Sequence, residues 1–242
     1  MKLYFYGVTA SPAQILSLMG MENAPMEAVL FEDLSALVSE TAQTFFDPTR
    51  ENVQRHEKII ETIMRLTPIL PASFGQLLAN RQEVLTFLRT SHDLLKGALT
   101  KVAGKVELGL KAFWNPQAVF AEIEAANPEI VELKTKIVAQ GPEKSYYDKV
   151  TLGTRVQEAL LEFGNTHIRN IMDVFQSLTG DTVTNQPTGD SMFLNASFLV
   201  DRGGEQSFLD KVRELERSYG ERFRFKPSGP FPPYNFSGLR SA

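Results

Sequence analysis

Cysteine is absent from the 242 residues. That removes disulfides, thiol catalysis and cysteine-bound zinc or iron–sulfur clusters, and it is compatible with a reducing cytoplasm. Histidine is scarce: only His56, His92 and His167 occur, with no helical i, i+4 pair and no HExxH from which to build a metal site. Also missing are a GxSxG elbow, a Walker loop and a GxGxxG turn, while LTGDT and PTGDS read as ordinary turns. No apolar run reaches the length of a membrane helix. The opening MKLYFYGVTA alternates like a first strand rather than reading as a signal sequence. Cations are not in excess: 25 Lys and Arg against 29 Asp and Glu give −4, which argues against capture of nucleic acid phosphates. These gaps predict a soluble cytoplasmic protein with no cofactor, no metal, no catalytic residues and neither nucleic acid nor membrane as a partner.

What is present suffices for a packed core, since 43% of the residues are hydrophobic and 22% charged. After the first strand, Ser11, Pro12 and Gln14 suit a helix start, with a stop at Gly20. MEAVLF and LSALVS, separated by Glu32-Asp33, read as a hairpin. A helix after Asp47-Pro48 carries the stripe Val53, His56, Ile60 and Ile63, and Ile69–Phe74 reads as a strand. The order is β-α-β-β-α-β, an antiparallel sheet expected to carry both helices on one face. A further helix capped by Asn80, with Glu83 three residues on, closes this unit.

Lys105–Phe113 alternates cleanly, with Val106, Leu108, Leu110 and Ala112 apolar and Lys105, Glu107, Gly109 and Lys111 on the other side. This predicts a half-buried strand with a polar outer face. A charged segment from Asn115 to about Asp148 reads as a helical excursion, followed by helix to Leu178, continuous or joined near Gly164. Two strands, Asp181–Thr184 and Ser191–Val200, a helix over Glu205–Tyr219 and the alternating ERFRF complete a second β-α-β-β-α-β order. The fold class expected is therefore α+β: two tandem ferredoxin-like domains, 1–103 and 104–242. The second is modified by the helical insertion and an extended proline-rich tail.

That tail, GPFPPYNF, packs three prolines and three aromatics into eight residues. Its prolines exclude helix and central strand, while its aromatics are too apolar for a free tail. Phe231, Pro232, Pro233, Tyr234 and Phe236 are therefore expected to strap the two domains together, with the three aromatics buried between them, and to offer a surface to a partner. The only polar alternative site is His56 with Glu57, for which a half-buried helix–sheet histidine is the simpler reading. Trp114 reads as a core or boundary residue.

Several stretches in order carry a resemblance: the aromatic first strand ending Tyr6-Gly7, LSALVSE, His56-Glu57, ILPASFG, KVELGLKAFW and GPFPPYNF. Together they resemble the gas vesicle protein F/L family, its F branch in particular, from residue 1 to about Leu239. One departure is Ser73, which stands where the family tends to have Arg, so no ion pair of that Arg carries over. The resemblance implies a minor structural or assembly protein of gas vesicles, the protein-walled buoyancy organelles of some aquatic microbes. It also implies the major shell protein as partner, with other accessory gas vesicle proteins besides. It leaves room for attachment to the inner, gas-facing wall, which this ordinary composition does not itself call for. The alternative class is a small-molecule-binding regulatory module using the interdomain cleft, an argument from fold analogy.

Overall fold

The structure, a computed structural model, describes residues 1–10, 12, 15, 17–141 and 145–239. Strand β1 (Lys2–Thr9) lies between β3 (Leu34–Thr41) and two short strands, β4 (Leu70–Pro71) and β5 (Leu77–Leu78). Strand β2 (Glu27–Phe31) closes the far edge against β3. All pairings are antiparallel, and the main order is β2-β3-β1-β4. The hairpin expected at Glu32-Asp33 is present, with Phe31 opposite Leu34. Its first turn residue, Glu32, takes the left-handed φ of 50° that a turn of this length demands.

The first connection departs from expectation where it is described. Ser11 and Gln14 of the expected helix start lie outside the described residues, but Ile15, Ser17 and Leu18 form turns and Met21–Asn23 a single 3₁₀ turn. Long-range hydrogen bonds hold this segment: the Met21 N–H donates to the Tyr6 hydroxyl of β1 at 2.6 Å, and Arg55, on the helix that follows the sheet's hairpin, donates to the Gly20 carbonyl at 2.9 Å. The helices that follow take both faces of the sheet. Helix α1 (Arg50–Leu66), capped by Thr49, covers the face carrying Tyr4 and Tyr6. Helices α2 (Arg81–Thr90) and α3 (His92–Val102) cover the opposite face, with Leu3 and Phe5. Strand β1 is apolar on both sides because Tyr4 and Tyr6, nominally its polar face, bury rings that need only a hydrogen-bond partner at the tip.

A bulge between Phe5 and Gly7 then turns Val8 to the face of Leu3 and Phe5. Gly7 makes this possible, with φ of 145° and a Cβ position only 2.2 Å from the Leu70 carbonyl oxygen. The strand expected over Ile69–Phe74 shrinks to Leu70–Pro71, since the chain must turn at Gly75 (φ 80°) to re-enter as β5.

The second sheet repeats the same order. Strands β6 (Lys105–Trp114), β7 (Thr179–Thr184), β8 (Met192–Asp201) and β9 (Phe223–Phe231) are arranged β7-β8-β6-β9, all antiparallel. The insertion forms α4 (Pro116–Ala126) and α5 (Pro128–Gln140), then α6 (Tyr146–Phe175), which runs unbroken through Gly164. With α7 (Glu205–Tyr219) these helices cover the face of Val106, Leu108, Leu110 and Ala112. Trp114 stacks on Phe193 at this cluster's margin, centroids 5.5 Å apart.

The two sheets meet along a seam. Lys101 of α3 pairs with Asp181 of β7, and Arg202 donates to the Met64 carbonyl at 3.0 Å. Leu199 and Val183 of the second sheet join the cluster under α2 and α3.

Candidate functional site: the seam and its C-terminal strap

The polar side of β6 does not all face water. Glu107, from a position expected to be solvated, is 4% exposed. A carboxylate there needs donors of its own, and Asn235 supplies two. Its backbone N–H donates to one carboxylate oxygen at 2.8 Å and its side-chain amide to the other. The same amide nitrogen donates to the Ser197 hydroxyl of β8 at 3.0 Å.

Everything around Asn235 serves to place it. Strand β9 ends at Phe231, and Gly229 (φ 107°) lies where a Cβ would come within 2.8 Å of the Glu107 carbonyl oxygen. Pro232 and Pro233 are buried, and Tyr234–Phe236 make one 3₁₀ turn. Ser237 closes it, donating to the Tyr234 carbonyl and accepting from the Leu239 N–H. This compact turn sends side chains both ways. Tyr234 packs into the cluster of Tyr4, Tyr6 and Ile60, whereas Phe236 and Leu239 enter the cluster that joins α2, α3 and Leu199. Burial, and then the nearby carboxylate of Glu57, raises the Tyr234 hydroxyl well above an ordinary phenol.

Of the tail residues singled out from sequence, Pro232, Pro233, Tyr234 and Phe236 come together at the seam. Phe231 does not. It is 40% exposed, as the last residue of the edge strand β9.

The polar alternative also divides. His56 is 1% exposed and Glu57 is exposed, since consecutive helical residues point in different directions. The His56 Nε2–H donates to the Ala72 carbonyl at 3.2 Å, so Nδ1 accepts from the Tyr4 hydroxyl at 3.0 Å. That hydroxyl in turn accepts from the Gly75 N–H at 3.0 Å. The ring stacks on Tyr6, and burial lowers its pKa to about 4. This is a neutral, fully partnered histidine that ties α1 to β1 and the β4–β5 turn. His167 is likewise enclosed by Phe163, Tyr219 and Phe223.

His92 holds the more polar constellation. Its Nε2 lies 2.7 Å from Asp33 and 3.5 Å from Glu32, and its Nδ1 3.2 Å from Asp93. Lys96 takes the other Asp33 oxygen at 2.6 Å. Lys96 and then His92 lower Asp33 to about 2, while Asp33 and then Asp93 raise His92 above its ordinary value. Among the described residues, Glu32, Asp33 and His92 are the group whose ligand atoms cluster as a metal site would need. Lys96 already neutralises the central carboxylate, and the cluster clamps the hairpin tip to α3. At the seam itself a cavity of about 200 Å³ is lined by Met64, Thr67, Pro68, Lys105, Arg202 and Pro233.

Sequence reasoning missed Glu107, Asn235 and the Asp33–His92 contact. Each is an ordinary polar residue whose partner is remote in the chain, so no local pattern marks it.

Comparison with known proteins decides the family. The family described as "Gas vesicle synthesis protein GvpL/GvpF" matches residues 2–238. The chain belongs to this family. Gas vesicle protein F of Dolichospermum flosaquae is 25% identical over 243 residues, covering 99% of this chain and 98% of that protein. Gas vesicle protein L of Haloferax mediterranei is 26% identical, covering 90% of this chain and 72% of that protein. The crystal structure of GvpF from Anabaena sp. PCC7120 superposes with a TM-score of 0.82 at 26% identity, covering 100% and 99% of the two chains. That of GvpF from Microcystis aeruginosa gives 0.81 at 23% identity, covering 98% of each. Membership of the GvpL/GvpF family places the chain's role in gas vesicle formation. The family is not a known enzyme family, and among the described residues no helix is long and apolar enough to cross a membrane.

Proposed function

We propose that the protein is a non-enzymatic assembly or minor structural component that binds the major gas vesicle shell protein while vesicles are built, acting from the cytoplasm. In this reading 1–103 and 104–242 are two variants of one ferredoxin-like plan. The recurring strand order supports that reading. The observation that carries the function is the family match, which runs through both sheets and includes the strap. The strap supplies rigidity: it fixes the relative placement of two sheets, so that a partner meets one preformed surface rather than a hinge. Other accessory gas vesicle proteins and the inner wall of the vesicle are further points of contact in this reading.

The small-molecule alternative finds less support. The seam cavity, about 200 Å³, falls below the roughly 300–1,000 Å³ of most ligand pockets, and the cavity of about 500 Å³ beside Leu239 is lined by the first sheet's side and the tail rather than by both sheets.

The test is co-purification of the tagged protein with the major shell protein, alongside deletion of its gene. Retention of the shell protein and loss of vesicles on deletion are expected. Normal vesicles after deletion, with no association in solution, would overturn the proposal.

A further inference from the structure

The outer face of the second sheet is covered at one end only. Near Glu107 and Leu199 the strap and α3 lie over it. At the other end it is open, and there it concentrates positive charge in a chain of net −4. Lys111 of β6 lies directly opposite Lys226 of β9, and Arg224 shares their face two residues before Lys226. All three are exposed, and among the described residues none is in an ion pair. Cross-strand like charges oppose sheet pairing, so this arrangement works against the fold that carries it. The nearest acidic residue along the same face of β6 is Glu107, about 13 Å from Lys111 at the strand repeat, and its carboxylate is held by Asn235.

The patch is also built to be presented. The Arg224 guanidinium lies over the Phe113 ring, 4.9 Å from its centroid, which holds it against the sheet. Asn195 of β8 stands opposite Lys111 on the side away from Lys226, so Asn195, Lys111 and Lys226 form a row across three strands. Beside that row Gly109 faces Ser228, a pair small enough to leave the surface low.

We infer that this open basic face, Lys111, Arg224 and Lys226 with Phe113 and Asn195, docks an extended acidic segment of a protein partner. The spacing selects that occupant. Arg224 and Lys226 are separated by two residues of strand, about 6.6 Å, the repeat at which an extended peptide presents alternate side chains to one side. Three cations are too few for a polynucleotide, whose binding draws on roughly 6–10 phosphate contacts, or for an anionic bilayer, which takes clusters of about 4–8. Pro227 and Pro230 leave β9 short of N–H donors, so the partner is held by side chains on the face rather than as an added edge strand. The inference goes beyond the shell-protein reading and does not depend on it.

The experiment uses the full chain and a fluorescent peptide of alternating Ser and Glu, followed by anisotropy at low salt. Binding that weakens with added salt is expected. Lys111→Gln with Lys226→Gln should weaken it about tenfold or more, with a melting temperature no lower than wild type because the opposed charges are gone. Lys58→Gln with Lys149→Gln removes the same charge from exposed sites elsewhere and should leave binding intact. Equal losses in the two double variants would overturn the inference, as would no binding by the wild type. Tighter binding of a single-stranded oligonucleotide or of phosphatidylserine vesicles than of the peptide would also overturn it.

Discussion

Glu107 and Asn235 stand 128 positions apart and join through two hydrogen bonds to one carboxylate. One residue belongs to a central strand, the other to a 3₁₀ turn near the end of the chain, and together they hold the strap in the seam.

Asn235→Ala leaves the Glu107 carboxylate buried with one donor instead of two. The expected loss is about 2 kcal/mol of folding stability, measured by urea unfolding. Limited proteolysis should also cleave the variant's tail faster than that of wild type. Unchanged unfolding and unchanged cleavage would show that the contact does not hold the strap.

His56 predicts a specific acid sensitivity. Its pKa in the folded protein, about 4, lies below the roughly 6.5 of an unfolded chain. The unfolded state therefore binds the proton first, and stability that is complete above about pH 6.5 is lost as pH falls toward 4. The total is about 3 kcal/mol. Urea unfolding at several pH values should show this component in wild type and its absence in His56→Gln.

At the hairpin tip the shift runs the other way. Asp33 and Asp93 raise His92, so its contribution is present at low pH and lost as pH rises through its folded pKa. NMR titration should find His92 above an ordinary histidine, with Asp33→Asn moving it down and added salt shrinking the difference.

Gly7→Ala tests the bulge that turns Val8. The substitution puts a Cβ 2.2 Å from the Leu70 carbonyl oxygen at a φ of 145°. A loss of about 3 kcal/mol or more is expected, read as a lower melting temperature or as failure to accumulate folded protein.

Periodicity made most of the second unit legible. The alternation of Lys105–Phe113, the long helical stripe over Val150–Leu178 and the helix at Glu205–Tyr219 each express one element burying one face, a condition a local pattern records. The first unit was harder to read because β1 buries both faces, so Tyr4 and Tyr6 could not be told from a solvated side. The segment after β1 carries helix-start residues yet is tied down by hydrogen bonds to Tyr6 and Arg55, which no window around residue 15 contains.

The sequence alone determined the α+β class, the hairpin at Glu32-Asp33, the cap at Asn80 and that most of an apolar, proline-rich tail would leave water. These follow from spacing, turn chemistry and the cost of exposing aromatics. Tertiary structure alone decided which tail residue stays outside, that α1 and α2 take opposite faces of the first sheet, and that Glu107 and Asn235 find one another. Those outcomes depend on which distant groups compete for a buried donor or a packed face. A charge on a strand reads the same whether its partner is water or an amide 128 residues away.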